Sequence, residues 1–219
     1  MSLESILDER KGETAWVLGS GATMGHIDPD FFSDKWVIST NFSAPMLGVK
    51  VWDAFSHYHK VTKKLAEQAS MVVTLEKDTL SLMSWNGEIP DNVLFAPQTD
   101  YHPPGSSWDP FRKHKPLTNS LVYGSSSIHG AIHLAAHMGA SHIVLVGADC
   151  GMLDGRNRFD DYEEGLRAMG YPEGHTPWKL YDHHLQVLKR WIFEEYGVPI
   201  YSLNPFVNLN LEGHLFVGV

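Results

Sequence analysis

The chain has one cysteine, no apolar run approaching the ~18 residues of a membrane span, and fewer basic than acidic side chains, 17 against 26. Each shortage excludes something. A lone Cys150 closes no intramolecular disulfide and supplies no multi-cysteine zinc site, and it fits a reducing compartment, so a cytoplasmic protein is expected. No basic start leads into an apolar segment, so neither a signal peptide nor a membrane span is expected. The formal net charge of −9 argues against nucleic acid as a partner, because a phosphate backbone repels an acidic surface. Lys60, Lys63 and Lys64, the basic group ahead of a long proline-rich loop, have the spacing of a solvated helix face. With 219 residues, 43% of them apolar, the chain can still bury a substantial core.

What is present begins with a glycine turn behind a short apolar run: Trp16, Val17 and Leu18, then Gly19-Ser20-Gly21-Ala22-Thr23. This reads as a buried strand opening into a tight turn. Glycine lets a ligand approach the backbone, and amides exposed after a strand can meet a phosphate or carboxylate, with the Ser20 and Thr23 hydroxyls as further donors. An ordinary turn is the competing reading, since the third glycine of the dinucleotide fingerprint and the Gly-Lys-Ser/Thr of a P-loop are missing. Residues 1–13 read as a short helix or a loose end. Residues 27–32 read as a helical turn with Asp28 as cap and Pro29 first, and 35–40 as a strand ending at Asn41. Segments 49–55, 71–75 and 93–96 are further strands, with a helix over 58–68 between the first two. That alternation implies parallel pairing and a layered α/β fold.

Between residues 97 and 119 the alternation breaks. Pro103, Pro104, Gly105, Trp108, Pro110 and Pro116 stand among His102, Arg112, Lys113, His114 and Lys115, which suits a lid or a substrate-contact segment. A surface excursion or a contact in a homo-oligomer is the alternative. Ser125, Ser126 and Ser127 then lead into a helix whose Ile128, Ala131, Ile132, Ala135 and Ala136 share one apolar face, ending near Gly139. These serines are potential N-caps, and the free amides behind them form a second anion site. Residues 142–147 are a buried strand closing on Gly147-Ala148-Asp149. Ligands in open α/β sheets bind outside the carboxyl ends of the strands, so Gly19, Ser20, Gly21, Thr23, Asn41, Ser125, Ser126, Ser127, Gly147 and Asp149 are expected to converge on a bound ligand. A helix over 160–169, a last helix opened by Thr176-Pro177 and running to about 196, and a strand within 198–203 complete the pattern. The expectation is an α/β protein, Rossmann-like, with a mostly parallel sheet sandwiched by helices. It is read as a single domain over 1–219 with a lid-like insertion or small subdomain at about 97–119.

Thirteen histidines are many for this length, and His129, His133 and His137 recur every four residues along one helix. That spacing can bind a metal, yet the Glu of a His-Glu-x-x-His motif is absent, so a structural or solvent-facing role is expected and no metal site is assigned. His175, just ahead of the last helix, suits a general base that deprotonates an acceptor hydroxyl. His183 and His184 are its rivals, though a full turn into the helix they read as packing or surface groups. Cys150 reads as a small buried residue.

The order of these motifs resembles that of the bacterial CMP-sialic-acid-dependent lipooligosaccharide sialyltransferases. The shared features are the Gly19-x-Gly21 turn followed by Ile27-Asp28, the strand ending at Asn41, the serine-rich helix start, the strand with Gly147-x-Asp149, and the closing Ile200-Tyr201-Ser202-Leu203-Asn204-Pro205. The chain is equally similar to a set of Rossmann-like proteins that includes the archaeal hydroxymethylpterin diphosphokinases. The first resemblance implies that Gly19, Ser20, Gly21, Thr23 and Asn41 hold CMP, that Ser126 or Ser127 corresponds to the family's helix-start serine, and that His175 is the base. It implies a CMP-sugar donor, a small-molecule or glycan acceptor and no metal cofactor. Ser20 stands where that family's loop has asparagine, and Cys150-Gly151 where its donor-binding tyrosines follow Gly-x-Asp. The second resemblance implies Mg²⁺ and ATP, with Asp149 facing the metal. A catalytically silent nucleotide-binding protein is the third reading.

Overall fold

The computed structural model describes residues 2–56, 59–75, 89–99, 119–122, 126–153, 155–156 and 178–203. Strand β1 (Thr14–Leu18) is followed by β2 (Trp36–Thr40), β3 (Asp53–Phe55), β4 (Met71–Leu75) and β5 (Val93–Ala96). Two short strands, β6 (Gln98–Thr99) and β7 (Leu121–Val122), pair with each other, and β8 (His142–Val146) and β9 (Ile200–Ser202) complete the set. The main sheet has seven strands in the order β5-β4-β3-β2-β1-β8-β9, every pair parallel. The chain therefore winds outward from β1 in one direction, then returns and winds outward in the other. The reversal falls between β1 and β8, and in open α/β sheets that is where a crevice opens at the carboxyl ends.

Both faces of the sheet are covered, which is why its strands read as apolar runs rather than alternating ones. Ala15, Val17, Ile38, Phe55 and Leu145 pack on one side with helices α3 (Ser127–His137) and α4 (Trp178–Tyr196). Trp16, Leu18, Val37, Ala54 and Val144 pack on the other with Met24, Phe32, Ala44 of the short helix α1 (Ser43–Met46), and helix α2 (His59–Ala66) through Val61 and Leu65. Residues 49–55 were expected to be one strand, but only Asp53–Phe55 pairs. Val49 and Val51 are buried ahead of it without joining the ladder, after the left-handed turn at Gly48. Asp28 caps the turn Pro29–Phe32, its Oδ1 accepting from the Asp30 amide at 3.0 Å. Lys63 and Lys64 are exposed on α2, as their spacing implies. The helix anticipated over 160–169, the 97–119 insertion apart from its ends, and Thr176-Pro177 lie outside the described residues.

The amino-terminal segment, read as a short helix or a loose end, forms a short 3-10 helix over Leu3–Ile6 that is tied into the core. Leu3 and Ile6 are buried in the core, the amides of Asp8, Arg10 and Gly12 donate to the carbonyls of His137, Met138 and Gly139, and Leu3 O meets His137 Nε2 at 2.7 Å. Its Arg10 guanidinium reaches the amino end of the sheet, lying 5.8 Å from the Trp36 ring centroid and 5.3 Å from that of Trp52. Beside it Asp53 is buried, with Oδ2 accepting from Trp36 Nε1 at 2.7 Å. Burial raises its pKa to about 6, against the Trp36 bond and the Arg10 charge and with the push of Glu9 and Glu13. A carboxyl raised from 3.8 to about 6 on folding disfavours the folded state above pH 6 and has no such effect below pH 4. Asp53→Asn is therefore expected to be more stable than the parent by about 2 kcal/mol at pH 7.5, with the gap closing as pH falls to 4. Urea melts at the two pH values check this; a gap independent of pH contradicts it.

Candidate functional site

The crevice is assembled from four carboxyl ends. Leaving β1, the Gly19 amide donates to Val146 O at 2.7 Å and the Gly21 amide to Gly147 O at 2.7 Å, which ties the glycine turn to the end of β8. No side chain fits between them. A Cβ on Gly19 would lie 2.4 Å from Gly147 O, and one on Gly21 would lie 2.4 Å from Asp149 Cγ. Gly147 itself has φ +66 with the Met24 side chain against it, so it meets both needs for glycine, conformation and space. Sequence alone explains the turn; these close approaches explain why it is made of glycine.

Asp149 closes the turn from the other side. Its Oδ2 accepts from the Thr23 amide at 2.9 Å and its Oδ1 from the Thr23 hydroxyl, and the residue is 2% exposed. Both carboxylate oxygens thus accept from Thr23 of the glycine turn. Burial raises the Asp149 pKa, opposed by the two Thr23 bonds and the charge of His26. Among the described residues no group of three His, Cys, Asp or Glu side chains is arranged to hold a metal ion.

Asn41 occupies the end of β2 in the left-handed region, φ +53, a conformation asparagine tolerates better than most residues. It is held there by its amide, which donates to Phe55 O at 2.9 Å, and by Ser39 Oγ, which donates to its carbonyl. Its side chain spans to α3: Nδ2 donates to Ser127 Oγ at 3.1 Å, while Ser56 Oγ donates to Oδ1 at 3.3 Å. The structure therefore brings Gly19, Gly21, Thr23, Asn41, Ser127, Gly147 and Asp149 together, with Ser20 half-buried in the turn and Ser126 at the helix cap. Ser125 and His175 lie outside the described residues. Ser56 was missed. It succeeds β3 as Asn41 succeeds β2, so the rule that identified one identifies the other. Thr40 and Ser43 were missed too; both hydroxyls donate to Leu18 O at 2.7 Å and anchor the last peptide before the turn.

Helix α3 aims its amino terminus at this turn, with Ile128 Cδ1 only 3.3 Å from where a Gly19 Cβ would sit. Its three histidines are buried, not solvent-facing. His133 Nδ1 accepts from the Val122 amide at 2.8 Å, so its proton sits on Nε2, which donates to Tyr196 Oη at 2.8 Å. His184 on α4 is buried with its ring 5.7 Å from that of His129, whereas His183 is exposed. Cys150 is half-buried rather than buried and has φ +48. Its thiol is pushed up to about 12 by burial and by Asp182 and Asp149, which leaves it a poor nucleophile at neutral pH.

A doubly wound parallel sheet with a glycine turn, an asparagine and a helix amino terminus gathered at the strand-order reversal defines a Rossmann-like α/β protein. Its fold is similar to that of Campylobacter jejuni sialyltransferases. The monofunctional α-2,3-sialyltransferase Cst-I matches at a TM-score of 0.58 and 15% identity, over 92% of this chain and 80% of that one. CstII in complex with the substrate analogue CMP-3FNeuAc matches at 0.54 and 15%, over 91% and 85%. A point variant of CstII in complex with CMP matches at 0.52 and 15%, over 92% and 85%. At this identity the likeness is one of fold. Of the two resemblances drawn from the sequence, these structures support the sialyltransferase-like one at the level of fold. No protein-family model and no curated protein matches the sequence. Among the described residues no helix is long and apolar enough to cross a membrane.

Proposed function

We propose that the chain is a glycosyltransferase that takes a CMP-sugar donor and is sialyltransferase-like in its chemistry. The observation that carries the reading is the gathering of two backbone turns, Asn41 and the α3 amino terminus at the reversal between β1 and β8. In it, the glycine turn and Asn41 hold the nucleotide, and the α3 amides with Ser126 and Ser127 face the phosphate, where a helix field favours negative charge. His175 takes the proton of an acceptor hydroxyl, whose oxygen attacks the anomeric carbon of the sugar. The bond from that carbon to the phosphate oxygen breaks with its electron pair, and CMP departs with the charge that the helix end stabilises. No metal has a part in these steps. The acceptor is a small molecule or a glycan, with the 97–119 insertion as the segment that meets it.

Calorimetry with CMP and with ATP, each with and without Mg²⁺, tests the donor class. The expected result is CMP binding that is indifferent to the metal and stronger than ATP binding. Mg²⁺-dependent ATP binding in its place would return the diphosphokinase reading, and binding of neither would leave the fold without this chemistry. In a transfer assay with a CMP-sugar, His175→Ala is expected to lower turnover by about 10²-fold or more with little change in donor affinity. Undiminished transfer would remove His175 from its role.

A further inference from the structure

The first turn of α3 carries no acidic residue, although a helix that begins with serine ordinarily has Glu or Gln three positions on, reaching back to the cap amide. Here His129 holds that position. Its Nδ1 accepts from the Ser126 amide at 3.2 Å, and the His129 amide donates to Ser126 O at 3.0 Å. We infer that His129 is a positioning residue for the anion site: an uncharged cap acceptor that fixes Ser126 and Ser127 while keeping a carboxylate away from the bound phosphate. This inference rests on the nucleotide reading above and adds to it the reason for this residue at this position.

Three observations converge on it. The bond at Nδ1 places the ring proton on Nε2, so the imidazole is neutral. The ring is 1% exposed, edge-on to Tyr181 at 6.3 Å and beside His184 at 5.7 Å, with no carboxylate among these contacts. Burial and the neighbouring His184 push its pKa down to about 3, against the Tyr181 backbone, so it stays neutral across the working range. Among the described residues, Asp149 is turned onto Thr23, and Asp182 on α4 lies toward Cys150, whose pKa it raises. Ser127, next to the cap, is the residue that meets Asn41. A glutamate at 129 would make the same cap bond but would set a negative charge within one helical turn of the phosphate and offset the helix field.

The test compares His129→Gln with His129→Glu, both of which keep a cap acceptor, using CMP and uncharged cytidine as probes. The expected result is that H129Q keeps the parent's preference for CMP over cytidine, whereas H129E loses that preference by about tenfold or more with cytidine affinity similar in the two. Equal preferences in the two variants overturn the inference. Absence of CMP binding in the unaltered chain would instead overturn the nucleotide reading itself. Nitrogen-15 NMR of the imidazoles in the unaltered protein does not depend on the variants folding. It should show His129 as the Nε2–H tautomer from pH 6 to 8, with and without CMP. An Nδ1–H tautomer, or titration within that range, overturns the inference as well.

Discussion

Lowering the pH from 7 to 5 is expected to remove a large part of the stability of this protein. His129 and His133 have pKa values near 3 and His184 near 4, in each case chiefly because burial disfavours the imidazolium. In the unfolded chain all three return to 6.5. Bases depressed on folding contribute stability that is complete above 6.5 and is lost as pH falls toward the folded values. At pH 5 each unfolded histidine sits 1.5 units below its pKa, a loss of about 2 kcal/mol apiece and about 6 kcal/mol together. Asp53 and Asp149 act in the opposite direction, because a carboxyl with a raised pKa is protonated more readily when folded; Asp53 recovers about 1 kcal/mol at pH 5. The net loss of about 5 kcal/mol is a third or more of the stability of a domain, ~5–15 kcal/mol. Circular dichroism melts across pH 4.5–7.5 should show a steep fall in Tm. His133→Gln, which can keep the acceptor toward Val122 and the donor toward Tyr196, should flatten the fall by roughly a third. A Tm unchanged between pH 7 and 5 would mean that these rings take up protons without unfolding.

Gly21→Ala is expected to damage the crevice through space alone. The residue has φ −65, so its backbone is open to any side chain and the objection is one of space alone. The added Cβ would lie 2.4 Å from Asp149 Cγ, 2.5 Å from Asp149 Oδ2 and 2.7 Å from Gly147 O. Either the Asp149 carboxylate leaves Thr23 or the turn separates from β8. Overpacking of this kind costs about 3 kcal/mol, which for a chain of this size is a fall in Tm of about 10 °C. Under the nucleotide reading proposed above, displacing the turn should also weaken CMP binding on the order of 10²-fold. Gly48, with φ +74 and open space around it, is a useful contrast, since alanine there meets only backbone strain. The double variant Gly21→Ala with Asp149→Ala should recover part of the lost stability, because one of the clashing groups is gone while the Gly147 carbonyl remains. If the two losses simply add, the clash with Asp149 is not the cause.

Strand positions were legible wherever an apolar run was bounded by polar or glycine residues. Met71–Leu75 and Val93–Ala96 coincide with the reading, and β1, β2 and β8 differ only at their ends. Segment 49–55 misled because Val49, Val51 and Trp52 are apolar through packing rather than through pairing. The burial of the amino-terminal segment, whose short helix was one of the two readings, was not legible for the converse reason. Its two anchors, Leu3 and Ile6, are spaced among polar residues, and its hydrogen-bond partners lie on residues 137–139, far along the chain. For the site, Asn41, Ser127 and the two glycine turns were legible from their positions at strand and helix ends. Ser56 obeys the same rule but ends a strand only three residues long.

Local chemistry determined a good deal. Apolar runs set the strands, glycine and serine set the turns and helix starts behind them, and the alternation with helices sets parallel pairing and hence a crevice at the carboxyl ends. Those preferences act over a few residues, so they are written in the chain. Which carboxyl ends meet was decided by strand order, and only the wound sheet puts Gly21 beside Asp149 and Asn41 beside Ser127. The roles of Asp149 and of the α3 histidines were decided there as well. A carboxylate reads the same in sequence whether it faces a metal or a threonine, and a histidine stripe reads the same whether it is wet or dry. Burial and partners 126 residues away in one case, and 63 in another, set the protonation of these groups, and those are properties of packing.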